Sequence, residues 1–448
     1  MGLSSNVFSI FQRDLLLFIT NLITGVLIAR ILGPSALGIF GILSMVPAYA
    51  EGFGRIKVDI AAVYFIGKKK YLREEVYYNI NLIALISSTI IVSLIILNFN
   101  FFYDWLFKNE ETDYRAYMFG MLGQIPIHFL YMNLAYFHIA NENIKVYNRM
   151  VVINAWLNSI IALILLFFTS LGLWSVIISS IVSISVSFTY GFIFVDRTGW
   201  RKISFNVKIM LELLRYGMNM YIGGIFGQFQ QSGTQLLSVA FLVPAQIAFL
   251  NQGQSVGKLL NKFVDPLNTI LFPRVSNLEE GEAIVLSCRA FRISFILLGL
   301  GGLGLLVMGG PLISILYGKA FLPTVEVIYF LLPGLILAGT SSTLTNYFTG
   351  TGRASLIPKI QILPLIIQLF LTWHLTQIWG LKGAAISIMT GSLIFGIILV
   401  LLFLKTSKIS FLKLLPEITD LKFIYSFGNN TFKSFFIRGK VNPNPILK

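Results

Sequence analysis

Apolar residues run through this chain in blocks of about 20, broken by short polar stretches, from one end to the other. An α-helix needs about that length to cross the hydrocarbon of a bilayer. The pattern therefore predicts an all-α polytopic membrane protein, since helices satisfy their own backbone groups in lipid. Twelve spans are expected, at about 14–32, 36–57, 79–99, 116–137, 149–169, 173–195, 216–241, 245–271, 291–310, 325–348, 357–378 and 383–404. They divide into an N-terminal six-helix bundle over 1–200, a second over 201–404, and a basic tail over 405–448. Within the tail, Ile418 to Ile437 is interrupted by Asp420, Lys422, Asn429, Asn430 and Lys433, and reads as an interfacial helix or as disorder.

Composition sharpens this. With 56% hydrophobic and only 12% charged residues, and a mean hydropathy of +0.79, a soluble protein is excluded. The single Cys288 and the scattered His128, His138 and His374 provide no disulfide framework and no metal-ligand spacing. His128 and His374 are expected to be structural histidines. The net charge of +15 is spread between apolar runs, which points to membrane orientation and not to nucleic acid. No cationic region precedes the first run, so it is expected to be an uncleaved helix.

Lys and Arg set the orientation. Lys68, Lys69, Lys70, Arg73, Lys145, Arg149, Arg197, Arg201, Lys202, Lys208, Arg274, Arg289 and Arg353 fall on one side, and Lys108, Arg115, Lys319 and Lys382 on the other. The first side is expected to be cytoplasmic, with both termini there and the acidic loop carrying Asp104, Glu110, Glu111 and Asp113 outside. A weak repeat with a period near 210 aligns ILGPSALGIF with FLVPAQIAFL, and GLWSVIIS with GLKGAAIS. Parallel repeats of this kind place a substrate between the halves in some transporters.

Ionisable and amide side chains inside spans are the candidates for function. Glu51, Arg55 and Asp59 fall at i, i+4 and i+8 beside Lys57, and read either as an ion-pair ladder or as the wall of a watery cavity. In the eighth span Asn251, Gln254, Lys258, Asn261, Lys262 and Asp265 form a polar stripe expected to line a cavity. Gln228, Gln231 and Gln235 add a second amide face, and Arg30 either snorkels to headgroups or faces the cavity. Gln12, Arg13 and Asp14 read as interface anchors. No GxSxG, P-loop or HExxH motif is present, and the loop from Asn100 to Arg115 is short for a catalytic lobe, so no enzyme and no cofactor is expected.

The stretch LIARILGPSALGIFGIL, with AEGFGRIKVD after it, resembles the Wzx-type polysaccharide and oligosaccharide flippases of the multidrug, oligosaccharidyl-lipid and polysaccharide exporter superfamily. ILFPRVSNL, LISILYGKAFLPTVEVIYFLLPG, FTGTGRASLIPK and WGLKGAAIS extend the resemblance to about Lys405. Members often have fourteen helices, where twelve are expected here. The resemblance implies export of a polyprenyl-pyrophosphate-linked glycan across the cytoplasmic membrane by alternating access, with membrane lipids and polymerase or ligase machinery as partners. Arg30, Arg55, Lys57, Lys258 and Lys262 would meet the pyrophosphate. Gln228, Gln231, Gln235, Asn251 and Gln254 would meet the sugars, and Arg30 alone lies inside a matched motif. Glu51, Arg55 and Asp265 are expected to gate, with Arg55 approaching Asp265. The alternatives are a cation-coupled multidrug exporter of the same superfamily and a membrane glycan polymerase or ligase.

Overall fold

A computed structural model describes residues 3–108, 110–195 and 205–420, and leaves out the side chains of some helical residues, Gln231 and Gln12 among them. The regular structure described is entirely helical. It comprises α1 Leu3–Gly54, α2 Val58–Gly67, α3 Arg73–Leu97, α4 Phe99–Phe107, α5 Arg115–Gly123, α6 Ile125–Ala140, α7 Ile144–Phe168 and α8 Leu173–Ile193. These are followed by α9 Val207–Ser238, α10 Pro244–Leu259, α11 Asp265–Val275, α12 Glu280–Tyr317, α13 Pro323–Gly350, α14 Leu356–Trp379 and α15 Leu381–Ser407.

Eight of the described helices are long and apolar enough to cross a bilayer unaided. The twelve expected crossings map onto the helices as follows. The apolar part of α1, Leu16–Gly54, is about 58 Å long at 1.5 Å per residue, enough for two crossings. It breaks where the motif places Gly33 and Pro34: Gly33 has φ 73°, which a side chain resists, and Pro34 donates no backbone hydrogen bond. One crossing is split into α5 and α6 around Gln124, and another into α10, a 3-10 turn over Leu260–Phe263, and α11. The remaining crossings are α3, α7, α8, α9 and α12 to α15. Gly172 and Gly380, aligned by the repeat, have φ of 55° and 54° and open α8 and α15.

Two expectations about elements are corrected. The second span does not carry one face through to Asp59. It ends at Gly54, the chain turns through left-handed Ile56 and Lys57, and α2 begins at Val58. The stretch from Asn100, expected as loop, lies largely in α4, whose Phe99, Phe101, Phe102, Tyr103 and Trp105 suit the membrane–water interface.

Contacts divide the described residues into two compact units: Met1–Gln252 with Gly310–Val327 and Leu369–Ala384, and Gly253–Gly309 with Ile328–Gln368 and Ala385–Lys448. Lipid gives apolar side chains little reason to leave it, so helices associate through small residues and hydrogen bonds. In the first unit Ser175, Ser179, Ser183 and Ser187 recur every fourth residue on α8 and are all buried. Ser179 donates to Asn158 Oδ1 at 2.8 Å, Ser180 to Gln124 Oε1 at 2.8 Å, and Ser187 to the Met150 carbonyl at 2.5 Å. His138 meets the Gly191 carbonyl at 3.0 Å, a structural role.

The second unit closes around Leu271, Cys288, Tyr347, Phe348, Leu399 and Phe403. Gly334 and Gly391 admit Met389 and Gln368 at close range. Arg292 pins the segment after α15, pairing with Asp420 at 2.7 Å and Glu417 at 2.9 Å. The tail stretch to Ile437, read as an interfacial helix or as disorder, lies outside the described residues beyond Asp420.

Candidate functional site

A cavity of about 410 Å³ opens inside the first unit among α1, α9 and α10. Glycines bring these helices together. A side chain at Gly38 would collide with the Pro244 backbone, Gly41 faces the Asn251 amide, and Gly52 lies on Gln228. The two motifs aligned by the repeat thus touch: the ILGPSALG turn crosses the start of α10.

The polar lining of the cavity is Ser44, Tyr49, Ser232, Gln235, Asn251 and Gln252, with Phe40 and Met45 as apolar wall. Among the described residues none of the lining side chains is charged. Gln235 donates to the Gly41 carbonyl at 3.5 Å, and the buried Tyr49 hydroxyl has no hydrogen-bond partner among the described residues. Such a cavity offers neutral donors and acceptors beside an aromatic face, in the size range of small-ligand sites.

Of the residues expected to meet sugars, Gln235 and Asn251 line this cavity, Gln228 lies next to it on α9, and Gln231 lies outside the described residues. Gln254 belongs to the second unit. Ser44, Tyr49, Ser232 and Gln252 give little signal in sequence, being neutral polar side chains within largely apolar spans.

The cations are placed differently. Arg30 donates Nε to the Leu316 carbonyl at 2.7 Å and a terminal nitrogen to the Ile315 carbonyl. These are last-turn carbonyls of α12, so Arg30 caps that helix and lies on its negative end. Arg55 is buried and clasped by Glu51 and Asp59 across the α1–α2 turn. Lys57 occupies the turn itself with no ion-pair partner among the described residues.

In the second unit Lys258 is exposed, and Lys262 is exposed and pairs with Asp265 at 3.0 Å. The eighth span is no continuous stripe: Pro266 lacks an N–H and starts α11 after the 3-10 turn, which shifts the face. The polar track in that unit continues through Asn268, which donates to Ser342 at 3.0 Å and accepts from Asn346 at 2.9 Å.

The charged cluster has a member not foreseen. His128, expected to be structural, sits with Nδ1 3.7 Å from Glu51 Oε2, while the Tyr136 ring lies 5.9 Å from the Arg55 guanidinium. Outside the spans, Lys70 donates to Glu212 at 2.5 Å. That bond holds the Glu212 carboxyl below the usual carboxylate range and pushes the Lys70 ammonium up. Arg13 bonds Asn148 at 2.7 Å and Asp14 at 2.8 Å, consistent with an anchor at the start of the first span.

Comparison with known proteins places the fold. A multidrug resistance MATE family transporter of the MOP superfamily, inward-facing, aligns with a TM-score of 0.68 at 14% identity, over 88% of this chain and 94% of its own. The lipid II flippase MurJ, inward closed, aligns at 0.68 and 17% identity, over 98% and 93%. A MATE transporter of Vibrio cholerae aligns at 0.60 and 17%, over 92% and 99%. The chain therefore shares the fold of these proteins and, with its long apolar helices, is a multi-pass membrane protein. A family model described as polysaccharide biosynthesis protein matches residues 27–326. No curated protein matches.

Proposed function

Because the chain belongs to the polysaccharide biosynthesis protein family, we propose that it is a flippase that moves a polyprenyl-pyrophosphate-linked oligosaccharide from the cytoplasmic to the outer leaflet of the cell membrane. The observation that carries this reading is the uncharged polar cavity of the first unit, whose amides and hydroxyls match sugar hydroxyls in both donor and acceptor roles. Its lining holds no carboxylate among the described residues, and so offers no ion-pair partner to a cationic drug.

Sugars occupy the cavity through Gln235, Asn251, Ser44 and Ser232. The pyrophosphate is met by a cation, for which Lys57 in the same unit is a candidate, and the prenyl chain stays in lipid. Two bundles, 1–200 and 201–404, rock to expose the substrate to alternate leaflets, with both termini cytoplasmic. Polymerase or ligase machinery takes up the product.

The test is rescue of a flippase-deleted strain with several defined glycan repeat units. Wild type restores surface glycan for at least one unit. Gln235→Ala with Asn251→Ala lowers export at unchanged membrane abundance. Failure of wild type to rescue any unit, or full export by the double variant, overturns the reading.

A further inference from the structure

We propose that Glu51, Arg55, Asp59 and His128 form a binding site for one exchangeable proton, held by the Glu51–His128 pair. The inference rests on the transporter reading only for its purpose, which is to supply an ion whose binding biases the transport cycle.

Charge balance is the first argument. Two carboxylates share one guanidinium, so with His128 neutral the cluster carries a net negative charge inside a membrane domain. A net charge in low dielectric is costly, and a single proton removes it. No other charge offsets it at contact. From α6 the cluster is faced by Tyr136, with its ring 5.9 Å from Arg55, and by Tyr131, 6.3 Å from His128. From α9 comes Tyr221, whose hydroxyl donates to the Phe53 carbonyl at 2.8 Å, and from α3 the apolar Ile91. Beyond Tyr136 lies Tyr147 on α7, which stacks under Arg13. Lys57 adjoins the cluster in sequence but pairs with none of its carboxylates among the described residues.

Geometry then places the proton. Asp59 and Arg55 are sealed, with side-chain exposures of 2% and 6%. Glu51 and His128 are partly open, at 31% and 25%. Glu51 divides its oxygens: Oε1 takes Arg55, and Oε2 points at His128 Nδ1 across 3.7 Å, beyond hydrogen-bond range. A proton on this pair turns that gap into a charge-assisted bond. Arg55 Nε and Asp59 Oδ1 are both buried without a partner among the described residues, so the cluster is not saturated and has partners left to exchange.

The site also sits where it matters mechanically. Arg55 ties the end of α1 to the start of α2 across the left-handed turn at Ile56 and Lys57. A proton on the Glu51–His128 pair gives the Glu51 carboxylate a second cationic partner that competes with Arg55, which weakens one of the two ties, so the proton biases that joint toward a second arrangement.

The test is an infrared pH titration of the full chain in lipid nanodiscs without glycolipid, reading carboxyl and imidazolium bands. The difference between wild type and Glu51→Gln shows one proton taken up in a single step, above the titration common to the remaining carboxyl groups of the chain. Glu51→Gln and His128→Gln each abolish that step or shift its midpoint by at least tenfold in proton concentration. Asp59→Asn removes the uncompensated charge and lowers proton affinity by roughly tenfold or more. Asp59→Glu keeps both charge and step, which guards against an Asp59→Asn chain that fails to fold. Glu417→Gln, outside the cluster, changes nothing. A wild-type step that persists unshifted in Glu51→Gln and His128→Gln overturns the proposal, as does the absence of any step. Since no glycolipid is involved, that outcome leaves the flippase reading standing on its own rescue assay.

Discussion

In sequence the Glu51–Arg55–Asp59 triplet and the Lys262–Asp265 pair look alike, as opposite charges one helical turn apart inside an apolar run. The fold treats them oppositely. Arg55 and Asp59 are 6% and 2% exposed and bridge the end of one helix to the start of the next, whereas Lys262 and Asp265 are 61% and 50% exposed beside a 3-10 turn. Charges taken out of water depend on their partners for existence, while exposed charges have water as an alternative. Helical spacing therefore identifies a pair, and burial decides what the pair is worth.

The comparison breaks first at Arg55. Arg55→Ala leaves Asp59 buried and uncompensated, and is expected to destabilise the first unit by about 3–5 kcal/mol, seen as loss of thermal stability and of membrane abundance. A variant as stable as wild type would mean that Asp59 is wetter than its burial indicates.

Next comes the glycine crossing that builds the cavity. Gly38→Leu must push the start of α10 away from α1, at a cost of about 1–3 kcal/mol, and export should fall with it. Thermal unfolding in nanodiscs beside the rescue assay reports both. Arg30 tests an exposed cation of a third kind. Arg30→Gln uncovers the last carbonyls of α12 and should cost about 1–2 kcal/mol, with the conservative Arg30→Lys recovering part of it.

The exposed pairs should show the smallest effects. Lys262→Gln is expected to change stability by no more than about 1 kcal/mol, so any larger loss of export would be assigned to substrate binding. Glu212→Gln is visible mainly through pH. Because the folded Glu212 carboxyl is held low by Lys70, its contribution is fully present above the ordinary carboxylate range and fades as pH falls through the depressed value. The raised Lys70 ammonium keeps the pair intact upward until lysine itself loses its proton. The melting-temperature difference between wild type and Glu212→Gln should accordingly be flat through neutral pH and vanish in acid.

What sequence alone determined follows from local rules. Lipid requires long apolar helices, so the twelve crossings are written in the run lengths. Gly33–Pro34 marks the break within α1 because one residue lacks a side chain and the other lacks an N–H. Gly172 and Gly380 mark equivalent helix starts because both adopt positive φ. The spacing of Glu51, Arg55 and Asp59 left an ion-pair ladder and a cavity wall both open, and Gln235 and Asn251 announced a polar interior.

What only the tertiary structure decided involves groups that meet across the chain. Arg30 finds the end of a helix some 286 residues away, and His128 finds Glu51 from another helix. The left-handed turn at Ile56 and Lys57 has no glycine to announce it. It is held where Gly217 lets α9 lie against its backbone and where Arg55 spans it. Periodicity records which face of a helix is polar. It carries no information about which other helix that face will meet, because in lipid the choice is made by close packing and by the pairing of buried polar groups.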